Sequence, residues 1–502
     1  MAMTPGNDAP AAPAPEVADY GLYIDGAELP AGSGASAERH SPADGSLVGR
    51  YAKGDSADVD RAVAAARRAF DDSAWPTMPA PERAAILRRA AELLRERSDR
   101  IGLRICLELG KPLAMAEDES RLAGDVFEYY AALVLDQRGD AISQHNPAAI
   151  GLVLHEPVGV IAMITPWNYP LMSLVWKVAP ALAAGCTMVA KPASLTPGPA
   201  LELAQVLADA GTPAGVYNVV TGGGSDVGSA LTAHPGVDKV AFTGSTEVGQ
   251  GVMRSAASTV KRVSLELGGK SPNIVFADAD LTYAVRNAYW GIFLNTGQAC
   301  QAGSRLLVQR DVHEEFVARL VELTRQSKVG NPLLRSTQIG PLVDDHQLTA
   351  VMGYIDQGRR SGAELVAGGD RLGGDLASGL FLEPTVFDNV GTDRTIAREE
   401  IFGPVLAVTP FDTAEDAVRI ANDSPYGLAA AVWSRNVNTV LGVAKRLRAG
   451  TVWVNSYYDA GLPFCMPVGG YKGSGFGREL GREGLAEYLE TKAVHLRLPK
   501  SL

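Results

Sequence analysis

Apolar residues recur at helical spacing through the first part of the chain and then gather into short, wholly apolar runs. Residues 23–25, followed by Gly26, predict a short strand entering a turn. Val59, Val63, Ala66 and Phe70 fall on one face of a helix over residues 58–70. A second helix is predicted over 81–97, where Pro81 suits a first turn, and a third from Asp99 to a stop at Gly110 and Pro112.

From Val158 the pattern changes. Apolar runs at 158–164, 187–190, 216–220, 239–242 and 263–265 predict strands, with helices over 171–184 and 200–210 and between the later strands. Short strands without polar alternation are buried on both faces, which implies parallel pairing in a doubly wound α/β domain. Ligands of such domains sit beyond the carboxyl ends of the strands. A second α/β segment follows, with strands at 304–308, 405–408, 428–433 and 451–454 and helices at 313–325, 415–421 and 437–447. Glycine and proline punctuate 358–384, read as a surface excursion. Residues 492–498 alternate as a strand, and a terminal strand must pair with something. No internal repeat is visible, which argues against a solenoid.

Composition narrows the function classes. A chain of 502 residues can bury a large core and fits about three domains. Its 46 basic and 57 acidic side chains give a formal charge of −11, against a nucleic-acid footprint or docking on anionic lipid. Seven scattered histidines and four cysteines without metal-ligand spacing point to no metal site. The unpaired thiols Cys106, Cys186, Cys300 and Cys465 fit a reducing compartment. Residues 1–19 are rich in Ala and Pro, without the basic start of a targeting peptide, and are expected to be a disordered tail. The most apolar region, 159–190, is broken by Pro166, Asn168, Pro170, Lys177 and Pro180, so no membrane span is expected and the location expected is cytoplasmic.

Several segments could carry chemistry, and each also has an ordinary reading. Cys300 lies between Gly297 and Gly303, after a helix and before a strand, where a loop can expose it; an isolated cysteine is more often simply buried. Glu266 ends an apolar strand and precedes Gly268-Gly269, as a general base raised by burial or as a turn residue. Asn168, in Thr165-Pro166-Trp167-Asn168-Tyr169-Pro170, offers an amide donor for an oxyanion, or merely forms a turn. Lys191-Pro192-Ala193-Ser194 ends another strand. Phe242-Thr243-Gly244-Ser245 turns into a helix whose N-terminus would accept phosphate, although it lacks the GxGxxG fingerprint.

In this order and at these separations, the segments closely resemble the aldehyde dehydrogenase superfamily over essentially the whole chain after the tail. Leu265 to Ser271 is similar to its glutamate signature and Asn295 to Ser304 to its cysteine signature. Glu399-Glu400-Ile401-Phe402-Gly403-Pro404 and Gly469-Gly470-Tyr471-Lys472-Gly473-Ser474-Gly475 match further blocks. The resemblance implies an NAD- or NADP-dependent oxidation of an aldehyde to a carboxylic acid. Cys300 is then the nucleophile, Glu266 the base that hydrolyses the thioester, and Asn168 with the Cys300 N–H the oxyanion donors. It further implies cofactor contacts from Thr165, Trp167, Lys191, Ser194, Gly244, Ser245, Glu400 and Phe402. The substrate pocket would draw on Tyr169, Ser173, Trp176, Leu294, Gln301, Phe464 and Cys465, suggesting an apolar aldehyde, aromatic or of medium chain length.

Two positions depart from the family pattern. Ser194 stands where a ribose-binding glutamate is frequent, which leaves NAD against NADP open. Gln301 follows the nucleophile where small or apolar residues are usual, and could enter the substrate pocket or point away. The implied organisation is a cofactor-binding domain (20–139 and 158–267), a catalytic α/β domain (268–480) and a small β oligomerisation extension (140–157 and 481–502). That extension would pair the closing strand with another subunit in a homodimer or homotetramer.

Glu266 disfavours a coenzyme A-acylating or phosphorylating dehydrogenase; in the acylating relatives water is a competing nucleophile. No Gly-x-Ser-x-Gly elbow supports a serine hydrolase, and neither His-Glu-x-x-His nor paired Cys-x-x-Cys supports a zinc hydrolase. A binding or structural protein that kept the fold is the reading from another class, since fold alone never excludes it. The joint presence of Cys300, Glu266 and Asn168 speaks against it.

Overall fold

The apolar runs become the centres of two large sheets in the computed structural model, which describes residues 17–498 apart from 147, 460 and 462. The first sheet has eight strands in the order Gly475–Phe476, Arg262–Glu266, Lys239–Thr243, Val160–Ile164, Thr187–Lys191, Tyr217–Val219, Leu22–Ile24 and Ala27–Leu29. Its strands from Arg262–Glu266 to Tyr217–Val219 run parallel. Successive side chains of a strand point to opposite faces, and Val160–Ile164 shows why this one is wholly apolar. Val160, Ala162 and Ile164 pack with Val59, Ala62 and Ala66 of helix Ser56–Asp71. Ile161 and Met163 join a second core with helices Ala80–Glu96, Ser98–Leu109, Leu113–Leu133 and Met172–Ala184.

The second sheet has seven strands, in the order Glu364–Ala367, Thr385–Asp388, Val405–Phe411, Arg305–Gln309, Pro272–Val275, Ala429–Trp433 and Thr451–Val454. All but the first edge strand are parallel to their neighbours. The expected α/β class with two wound sheets is therefore observed. A third, three-stranded antiparallel sheet joins Leu489–Arg497, Ala149–Pro157 and Asp140–Ile142.

Three expectations change, and one helix is added. The closing strand needs no second subunit as its partner: Leu489–Arg497 pairs along its length with Ala149–Pro157 of its own chain. The surface excursion at 358–384 instead includes strand Glu364–Ala367, which pairs with Thr385–Asp388 and extends the second sheet. The tail expected over 1–19 lies outside the described residues up to 16, and Ala18–Tyr20 is a strand parallel to Leu47–Ala52. The helix Leu113–Leu133 was not predicted, because Glu117 and Glu119 interrupt its apolar face and both are buried. Among the described residues, no helix is long and apolar enough to cross a membrane, and no cluster of His, Cys, Asp or Glu could hold a metal ion.

Candidate active site

The carboxyl ends of four adjacent parallel strands carry Glu266, Thr243-Gly244, Ile164-Thr165 and Lys191 side by side. Three adjacent strands of the second sheet begin at Pro272, Arg305 and Val405, and the loops leading into them carry Gly268-Gly269, Cys300 and Glu400 to Phe402. Residues far apart in sequence meet because the carboxyl edge of one sheet abuts the amino edge of the other. The Gly268-Gly269 pair makes this contact possible. A β-carbon on Gly268 would stand 2.0 Å from Glu400 Oε2, and one on Gly269 would stand 2.5 Å from the Cys300 carbonyl oxygen. The Gly269 N–H donates to Glu400 Oε1 at 3.1 Å.

Of the four cysteines, Cys106 and Cys186 are buried in the core, Cys465 is exposed, and Cys300 is partly exposed. Burial pushes the Cys300 thiol up to about 12, the charges of Glu400 and Glu266 add to the rise, and the Gln301 N–H opposes it. The resting thiol is thus neutral at pH 7. Asn168 is tied to the same loop from both ends of its residue. Its Nδ2 donates to the Gln298 carbonyl at 3.0 Å, and its own carbonyl accepts from Asn295 Nδ2 at 3.0 Å. One of the two amide hydrogens of Asn168 remains for another acceptor.

Glu266 is buried at the end of its strand, and its Oε1 has no hydrogen-bond partner among the described residues. Burial raises its carboxyl well above the carboxylate range. Repulsion from Glu479 adds to this, while Lys177 and Arg478 draw it down. Lys177 Nζ is ion-paired with Glu479 and donates to Thr243 Oγ1 at 2.6 Å, so a buried charged pair stands beside Glu266. Sequence reading missed this pair. The available signal was a lysine at a core position of the helix Met172–Ala184.

The other anticipated residues spread along the same edge. Lys191 Nζ is buried against the Pro192 carbonyl at 2.9 Å, and desolvation lowers its ammonium to about 8. Burial pushes Glu400 up to about 7, against the pull of the Gly269 N–H and Lys270. Thr165 Oγ1 is buried without a partner among the described residues. Ser194 is exposed and donates to the Gly222 carbonyl at 2.9 Å. Ser245 caps the helix Thr246–Ala257, accepting from the Val248 N–H at 3.3 Å, and the Gly244 N–H donates to the Glu266 carbonyl at 3.0 Å. The Trp167 and Phe402 rings meet edge to face at 5.2 Å.

On the remaining side, Tyr169, Trp176 and Phe464 are half-buried against the core of the first sheet. Ser173 Oγ donates to the Tyr169 carbonyl at 2.6 Å. Leu294 opens a short helical turn whose next two residues, Asn295 and Thr296, have φ of 52° and 58°. Gln301 is buried, and its carbonyl accepts from Tyr457 at 2.5 Å. Tyr457 and Tyr458 were not anticipated; both are close enough to Cys300 to feel a thiolate formed there.

A sequence profile of the aldehyde dehydrogenase family matches residues 30–494. An aldehyde dehydrogenase of Enchytraeus buchholzi is 45% identical over 480-odd residues, covering 96% of each chain. The crystal structure of an NAD-dependent aldehyde dehydrogenase from Sinorhizobium meliloti superposes with a TM-score of 0.94 at 44% identity, over 96% of each chain. A mutant of the P. syringae indole-3-acetaldehyde dehydrogenase AldA, in complex with NAD+ and IAA, gives 0.93 at 43% identity, over 95% of this chain and 96% of that one.

Proposed function

The chain belongs to the aldehyde dehydrogenase family, and we propose that it oxidises an apolar aldehyde to the carboxylic acid with NAD+ or NADP+, through a thioester on Cys300. The observation that carries this reading is the unpartnered, buried carboxylate oxygen of Glu266 near enough to Cys300 to perturb its thiol.

The residues present fit a dinucleotide. Lys191 has a buried ammonium with no acid partner among the described residues, Glu400 has a carboxylate seated on two glycines, and the capped helix Thr246–Ala257 opens at the same strand edge. Lys191 and Glu400 would take ribose hydroxyls, Gly244 and Ser245 the pyrophosphate side, and Trp167, Thr165 and Phe402 the adjoining surfaces. Bound there, NAD(P)+ supplies the hydride acceptor and a positive charge.

The chain's own residues do the rest. Cys300, partly exposed, gives up its proton to solvent water, and its thiolate attacks the carbonyl carbon. The alkoxide oxygen accepts hydrogen bonds from the free amide N–H of Asn168 and from the Cys300 N–H. After hydride departure the thioester stays on Cys300, and Glu266 removes a proton from the water that cleaves it. Tyr169, Trp176 and Phe464 would line the aldehyde's path with Ser173, Leu294, Gln301 and Cys465, and the P. syringae relative is named for indole-3-acetaldehyde. The test is reduced-nicotinamide absorbance with hexanal, benzaldehyde and small charged aldehydes. Highest kcat/KM on the apolar ones supports the reading, and preference for small charged ones refutes it.

Ser194 bears on cofactor choice. A carboxylate there would bind the ribose 2′-hydroxyl and repel a 2′-phosphate. Ser194→Glu is expected to lower kcat/KM for NADP+ relative to NAD+ by about tenfold or more, on the order of 1.4 kcal/mol. An unchanged ratio would place the 2′ position elsewhere.

A homodimer or homotetramer is proposed on the three-stranded sheet. Leu154 and Leu496 lie on one face of it, 39% and 51% exposed, together with Ile150, Leu152 and Val494. The same face carries the Lys492–Glu156 ion pair at one end, and apolar side chains left half in water beside it favour a second copy. Sedimentation should give at least twice the chain mass, and Leu154→Glu with Leu496→Glu should lower it.

A further inference from the structure

We propose that Glu119 and Lys111 form a buried positioning unit that sets the oxyanion donor Asn168 and the Tyr169 ring from behind the active-site loop; this rests on the reading of Asn168 given above. The loop runs from the strand Val160–Ile164 to the helix Met172–Ala184. At its start the Thr165 N–H donates to the Lys191 carbonyl at 3.2 Å. At its end the N–H groups of Leu171 and Met172 donate to one oxygen of Glu119, at 3.1 and 3.0 Å. The other oxygen of Glu119 is ion-paired with Lys111 Nζ. That ammonium lies 3.8 Å from the centroid of the Tyr169 ring.

Each contact has a physical reason. The first N–H groups of a helix have no intrahelical acceptor, and an anion suits that end. No side chain of the helix's own N-cap residue meets them, so a carboxylate from helix Leu113–Leu133 does so instead. Both charged side chains are 1–2% exposed, and a carboxylate at that depth needs a counter-charge. Lys111 provides it and, desolvated, also holds the face of Tyr169. Only Tyr169 and Pro170 separate Asn168 from Leu171, so anchoring Leu171 fixes where the Asn168 amide emerges. The Tyr169 carbonyl is held from the helix side by the Ser173 N–H at 3.0 Å. Glu119 touches no reacting atom. Its effect is transmitted through Asn168, where a displacement of 1 Å costs about a hundredfold in rate.

A double-mutant cycle tests this with benzaldehyde and NAD+ on the full chain: wild type, Glu119→Gln, Asn168→Ala and both together. Glu119→Gln is expected to lower kcat by about tenfold or more with the NAD+ dissociation constant unchanged. In the Asn168→Ala background the same change is expected to cost less than about twofold, because the donor it aims is gone. Equal factors in both backgrounds, or no loss in the first, would overturn the proposal and leave the role of Asn168 intact. If Asn168→Ala alone leaves kcat/KM unchanged, the oxyanion reading itself fails. Should Glu119→Gln not fold with its partner charge stranded, the neutral pair Lys111→Met with Glu119→Gln enters the same cycle. The same loss of effect without Asn168 supports the unit, and equal factors again overturn it.

Discussion

Cys300→Ala is expected to abolish aldehyde-dependent reduction of NAD+, by at least about 10⁴-fold in kcat, while NAD+ still binds. The other thiols cannot substitute. Cys106 is fully buried and its thiol is pushed far up by desolvation. Cys186 is also buried, lies against the Tyr488 carbonyl, and is raised to about 11. Cys465 is exposed, whereas the Asn168 amide is tied to the Cys300 loop through the Gln298 carbonyl. Burial pushes the Cys300 thiol itself up to about 12, so the proposed attack requires the loss of its proton first. Steady-state absorbance with the purified variant checks the prediction, and turnover within tenfold of wild type would remove Cys300 from the mechanism.

Glu266→Gln is expected to separate the two halves of the reaction. Gln keeps the shape and loses the base, so acylation proceeds once and hydrolysis slows by about 10²–10⁴-fold. A rapid burst of about one reduced nicotinamide per active site should precede a slow steady state. The pH profile carries the sign. Burial and Glu479 raise the Glu266 carboxyl, and the base works only when ionised, so wild-type kcat should rise with pH through that raised value and then level. The rising limb should be absent in Glu266→Gln. A burst-free variant with unchanged kcat would assign hydrolysis to another group.

The strands that carry the site were legible because they are buried on both faces, and a wholly apolar run such as 160–164 has no amphipathic alternative. Cys300, Glu266, Asn168, Lys191 and Glu400 were legible as motif residues, Glu266 and Lys191 at strand ends and the other three in loops between elements. What sequence did not show is which charges are compensated. Lys177 pairs with Glu479, 302 positions away, and Lys111 pairs with Glu119 across the start of an unpredicted helix. Within a one-dimensional pattern both lysines look like interruptions of apolar stretches. Their partners exist only after the helices pack, and burial then decides that the pairs must form. The strand Pro272–Val275 escaped notice because four residues opening on proline offer no periodicity, although it lies in the middle of the second sheet. The closing strand was recognised, but its pairing depends on the chain folding back on Ala149–Pro157, which alternation alone does not specify.

The covalent intermediate is the central claim, and peptide mass analysis reaches it directly. Glu266→Gln, mixed with benzaldehyde and NAD+, quenched in acid within the burst and digested, should yield the Cys300 peptide heavier by one benzoyl group. The peptides carrying Cys106, Cys186 and Cys465 should be unchanged. Reduced nicotinamide formed in the same sample with an unmodified Cys300 peptide, or with the acyl group on another residue, would contradict the mechanism.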